Sequence, residues 1–185
     1  MLFGSPHAFA IEALLEPDPQ FGAVQSNNLV GRFCLWMNGT AVGRIDEPSC
    51  WLGPFREHLR RHAASLEEHW QLSFDALTPE QIFDHLDRGL YAAHRDECLD
   101  LDDIEDAGDL GRFGFLSNVS EVFDGWTAFL VSPAGSDDIL ALVRAHGAPT
   151  VSIRTFSRTA FRDAVCAFSD WVDAEQRRLV PHLFA

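Results

Sequence analysis

The chain has 185 residues, 46% of them apolar, with 15 Phe, 5 Trp and 1 Tyr, enough for one ordinary domain with its own core and too few for two without a visible linker. Its 28 acidic residues face only 14 basic ones, all Arg, and the net charge of −14 repels phosphate backbones, which excludes nucleic acid as an expected partner. Residues 1–185 are therefore read as a single folded domain that neither is disordered nor binds nucleic acid.

No run of 18 apolar residues occurs, and the first apolar stretch carries Glu12 and lacks a basic start, so neither a membrane span nor a signal peptide is expected. Cys34, Cys50, Cys98 and Cys166 form no CxxC pair and read as reduced core thiols of a cytoplasmic protein.

Along the chain, Phe9, Ile11 and Ala13 alternate with Ala10 and Glu12, which predicts a strand over 7–15 that ends at Pro17. The apolar run at 29–37 leads into Asn38-Gly39 and then Thr40, Val42 and Ile45. Asn-Gly tolerates the positive φ of a tight primed turn, so this is a β-hairpin. Phe55, Leu59, Ala63, Leu66 and Trp70 recur at helical spacing and predict an amphipathic helix over 54–70. Thr78-Pro79-Glu80-Gln81 carries an N-cap hydroxyl, Pro at the first helical position and Gln three residues on, so a second helix starts there.

Between His94 and Arg112 lie eight acids and two Arg, which predicts a solvated loop or frayed helix. The second half reads as a strand over 125–131, a short helix opened by Ser136-Asp137-Asp138 and closed at Arg144 to Gly147, a strand over 150–156, and a last helix carrying Phe161, Val165, Phe168 and Val172. Acids at the start and bases at the end of the short helix suit its dipole. The expected fold class is α+β, a largely antiparallel sheet with helices packed on it, with a right-handed crossover if the closing β-α-β-α unit is parallel.

Chemistry has few footholds in this chain. From Asp100 the calcium-loop template finds acids at its first and third positions, then Ile104 at the fifth and Glu105 where Gly is required. His58 and His62 lie four apart, but the intervening Leu-Arg-Arg lacks the Glu of a zincin helix. There is no GxSxG, no SxxK, and no Lys for a Schiff base or a Walker loop. No catalytic residue, metal or cofactor is expected. Trp51 differs from the other tryptophans because it sits in the turn-rich Pro48-Ser-Cys-Trp-Leu-Gly-Pro-Phe55, where an exposed ring serves as a binding anchor.

Two stretches carry a family resemblance. Phe3, Gly4, Pro6, Phe9, Ala10 and Ile11, followed by Gly31, Phe33, Trp36, Asn38 and Gly39, resemble the F-G-x-P-x-x-F-A-I start and the G-x-F-x-x-W-x-N-G strand and turn of the immunity protein 42 family of bacterial polymorphic-toxin systems. The resemblance implies a non-enzymatic cytoplasmic protein that binds and neutralises a cognate toxin, and the matching positions themselves look structural.

The binding surface has to come from physical reasoning. Residues 94–112 hold six of the fourteen net negative charges, a concentration that draws a basic partner such as a nuclease-type toxin. The candidate contact residues are Asp100, Asp102, Asp103, Glu105, Asp106, Asp109 and Trp51. Two other functions compete: a small metal-dependent hydrolase using the 94–112 segment with the histidines, and an acidic adaptor for some other basic protein.

Overall fold

The computed structural model describes residues 1–18, 20, 22–46, 50–91, 109–116 and 119–183. Cys98, Asp100, Asp102, Asp103, Glu105 and Asp106 lie outside these residues, as does most of the acidic segment.

The first sheet grows from the hairpin. β2 (Phe9–Leu15) pairs antiparallel with β4 (Asn28–Met37) from Phe9 opposite Met37 to Leu15 opposite Gly31. β1 (Leu2–Gly4) adds to β2, while the short β3 (Val24–Gln25), β5 (Thr40–Val42) and β6 (Cys50–Trp51) all pair with β4. Asn38 and Gly39 take φ of 49° and 80°, the two positive values the hairpin turn requires. The return strand is shorter than expected. It stops at Val42, and Ile45 is not part of it. At Gly31, a side chain would strike the Leu14 carbonyl and the Leu52 methyls, so β4 admits only glycine where β2 and the following helix close on it.

Among the described residues, three longer helices follow. α1 (Leu52–Ala64) buries Leu52, Phe55, Leu59 and His62, then breaks at Ser65 into 3-10 turns instead of running on to Trp70. α2 (Pro79–Tyr91) begins with the expected reciprocal box: the Gln81 amide donates to Thr78 Oγ1 at 3.3 Å and the Thr78 amide donates to Gln81 Oε1 at 2.8 Å. α3 (Arg158–Leu179) opens with Ser157 Oγ accepting from the Ala160 amide, and buries Phe161, Val165, Phe168 and Val172.

The second sheet corrects an expectation. Residues 138–145 are not a helix. They form β8 (Asp138–Ala145), the middle strand between β7 (Trp126–Val131) and β9 (Ser152–Ser157), both antiparallel to it. The closing β-α-β-α unit is thus a meander followed by one helix, with no parallel crossover. The physical reason is two-sided burial. Ile139, Ala141 and Val143 join the main core with the first sheet, α1 and α3, while Leu142 joins a second core with Phe83, Leu86 and Phe129 under α2. An unbroken apolar run buried on both faces has no period of two, so it reads as well as a helix as a strand. Ser136 Oγ accepts from the Asp138 amide two residues on, a turn rather than a helix cap. Arg144 serves no helix dipole; it donates to Asp87 Oδ2 at 2.8 Å and lies 4.4 Å over the Phe83 ring, tying β8 to α2.

Aromatic rings fill the main core. Phe33 of β4 stacks on Phe55 of α1 with centroids 3.8 Å apart, and Phe123 and Phe168 close around them. The architecture is α+β, with two antiparallel sheets and helices between and upon them. The positions that carry the family resemblance are mainly core: Phe3, Phe9, Ala10, Ile11 and Phe33 are buried, and Trp36 is half-buried with its Nε1 donating to Glu12 Oε2 at 2.9 Å. Of the cysteines, Cys34 and Cys50 are buried as expected, whereas Cys166 is exposed on α3, where the helical period turns it outward. Burial and the nearby Glu12 carboxylate push the Cys34 thiol up to about 12, which removes it as a nucleophile.

Candidate partner-binding face

β6 fixes Trp51. Cys50 pairs opposite Gly31 and Trp51 opposite Val30, and side chains alternate along a strand. Cys50 therefore turns inward, its Sγ 2.7 Å from Ser120 Oγ, and Trp51 turns outward. It is 53% exposed, while the other four tryptophans are half-buried. The ring borders a groove of about 240 Å³ shared with Pro54, Val119, Ser120 and Glu121.

Pro54 and Val119 also belong to a larger cavity of about 690 Å³, which runs past His58, Arg61 and His62 to Gly111 and Arg112. The groove and the cavity thus share a wall. The far end reaches the close of the acidic segment: Asp109 is exposed, and its carbonyl accepts from Arg112 Nη1 at 2.9 Å. Arg112 is locked in place, since its Nε donates to the Glu68 carbonyl at 3.0 Å and its guanidinium lies 4.6 Å over the Phe113 ring. Of the seven candidate contact residues, two lie among the described residues: Trp51 borders the groove, and Asp109 contacts the cavity-lining Arg112 through its carbonyl.

Three histidines line or underlie the cavity. His58 Nε2 lies 2.6 Å from the Phe115 carbonyl, His62 Nε2 3.1 Å from the Gly114 carbonyl, and His69 Nδ1 2.7 Å from the Ser65 carbonyl. His62 Nδ1 and His69 Nε2 face each other at 2.8 Å. Burial lowers the pKa of all three, most for His62, and the Arg61 guanidinium works in the same direction on His58 and His62.

This constellation does not suit a metal. The ring nitrogens of His62 and the placed nitrogens of His58 and His69 are spent on carbonyls or on each other, and among the described residues no three His, Cys, Asp or Glu converge on one point. The depression offers shape, an aromatic ring and charge. His69, Arg112, Ser120 and Glu121 escaped sequence reasoning because they reach the face from separate segments. The i, i+4 spacing of His58 and His62 and the turn-rich setting of Trp51 are the local signals pointing there.

Among the described residues, no helix is long and apolar enough to cross a membrane. The sequence matches the family described as immunity protein 42 over residues 1–171, well beyond the two N-terminal motifs. The fold is similar to that of the crystal structure of CdiI from Burkholderia dolosa AUO158, with a TM-score of 0.60 and 17% identity over 90% of this chain and 97% of that one. No curated protein sequence matches the chain.

Proposed function

The chain belongs to the immunity protein 42 family and is a toxin-neutralising immunity protein rather than an enzyme; from that premise we propose that it binds a basic toxin in the cytoplasm of the producing cell and blocks it by occlusion. The contact residues are Trp51 and Asp109, together with Asp100, Asp102, Asp103, Glu105 and Asp106 of the acidic segment. Trp51 carries this reading. It is the one tryptophan of five that is exposed, and it stands beside a groove, as an aromatic anchor at the centre of an interface does.

Charge supports the partner's character. Six of the fourteen net negative charges fall in 94–112, a field that accelerates encounter with a basic protein and disfavours nucleic acid. An interface of ordinary size covers about 800 Å² on each partner, enough to occlude an active site or its approach.

Co-expression tests this reading. Cells producing the toxin encoded beside this chain's gene survive when the wild-type chain is present. Survival that is unchanged by Trp51→Ala combined with charge removal at Asp100, Asp102, Asp103 and Asp106 would move the contact elsewhere on the molecule.

A further inference from the structure

The His62 and His69 rings sit in a hydrogen-bond arrangement that two neutral imidazoles cannot fill. Three contacts need a proton: His62 Nε2 to the Gly114 carbonyl at 3.1 Å, His69 Nδ1 to the Ser65 carbonyl at 2.7 Å, and His62 Nδ1 to His69 Nε2 at 2.8 Å. A carbonyl accepts only, so each ring must spend an N–H on its carbonyl. A neutral imidazole has one N–H, which leaves two lone pairs facing each other across the third contact. Four protons fail equally, because two N–H groups would then collide. Three protons satisfy all three contacts.

We propose that His62 and His69 bind one additional proton between them and act as a single-proton latch that fastens α1 to the Ser65–His69 turn and to the Gly111–Phe115 wall of the cavity. Uptake adds one H⁺ from solvent to the pair, forming N–H···N between the rings and giving the pair a charge of +1. Release returns that proton and leaves one of the three contacts without a donor.

The surroundings set when this happens. On α1, His58 and Arg61 face the pair; the 65–69 turn contributes Glu68, the 111–115 segment Arg112, and the Tyr91 phenol at the end of α2 shares the cavity. Phe113 and Phe115 pack on the rings edge-on. Glu68 favours the proton, while burial and both guanidiniums oppose it, so the pair takes it up on the acid side of an ordinary histidine titration. A second proton is resisted by the first. The latch therefore closes only on acidification below the ordinary histidine range and has a missing bond above its titration point.

Histidine-selective nitrogen and proton NMR on the full chain reads the latch directly. Below the joint titration point, one strongly downfield N–H proton correlates with both the His62 and His69 rings. Above it, that resonance disappears in both rings together. His58→Gln retains the shared resonance, since His58 makes none of the three contacts. Rings that titrate independently, or no shared resonance at any pH where the chain is folded, would each overturn the latch.

Discussion

Cys50 and Trp51 are consecutive residues with opposite fates: the thiol is buried against Ser120 Oγ, and the indole is 53% exposed beside a groove. Strand alternation sets this, because β6 is held in register by Gly31 and Val30 of β4. Trp51→Ala therefore separates binding from folding. Thermal stability changes within about 0.5 kcal/mol, as for an exposed residue, while affinity for the toxin falls by about 2 kcal/mol or more, roughly thirtyfold. Denaturant melts and titration calorimetry measure the two. A large loss of stability with unchanged affinity would make the ring structural.

Electrostatic steering makes its own prediction. Association with a basic toxin slows steeply as ionic strength rises from low to physiological, because exposed charges are screened beyond about 8 Å there. Converting Asp100, Asp102, Asp103 and Asp106 to Asn flattens that dependence and lowers the association rate more than it raises dissociation. Stopped-flow kinetics at several salt concentrations separates the rates. A rate indifferent to salt leaves the acidic segment as a solubilising feature.

Arg144 ties the middle strand of the second sheet to α2. Its guanidinium donates to Asp87, which is buried, and rests on Phe83. Asp87→Ala leaves a half-buried guanidinium with the more distant Asp84 carboxylate, and costs about 2 to 3 kcal/mol of stability with no direct effect on the candidate partner-binding face. Replacing Arg144 by Met, which keeps the contact with Phe83 and removes the charge, costs stability too, because Asp87 then loses the Arg144 donor. Chemical denaturation of both variants reads these losses. Stability unchanged in both would show that solvent screens this pair fully.

Local signals revealed those parts of the fold whose cause is local. The Asn38-Gly39 turn, the Thr78/Gln81 box and the α3 stripe each depend on residues within one turn of chain, and each forms as the sequence predicts. β8 was misread because its character comes from layers on both sides, α2 on one and the first sheet with α3 on the other, which no window of sequence contains. The site followed the same rule. Trp51 stood out through its turn-rich neighbours, whereas His69, Gly114 and Arg112 meet His62 only after distant segments close over α1.

Three histidines with lowered pKa tie stability to pH. His58, His62 and His69 all lie below the ordinary value of 6.5, with burial the first cause in each. In the unfolded chain these rings take up protons around 6.5; in the folded chain they do so only at lower pH. Between those points the unfolded state binds more protons, so its free energy drops relative to the native state as pH falls. The histidine contribution to stability is thus present in full above 6.5 and is lost on acidification toward the folded values. Urea denaturation from about pH 8 to about pH 5 shows this as a falling midpoint. His58→Gln removes one of the three contributions and makes the fall shallower, even though it costs stability at every pH through its lost contact with the Phe115 carbonyl. A midpoint that rises on acidification would mean that the folded state raises these pKa values, opposite to what burial beside Arg61 and Arg112 dictates.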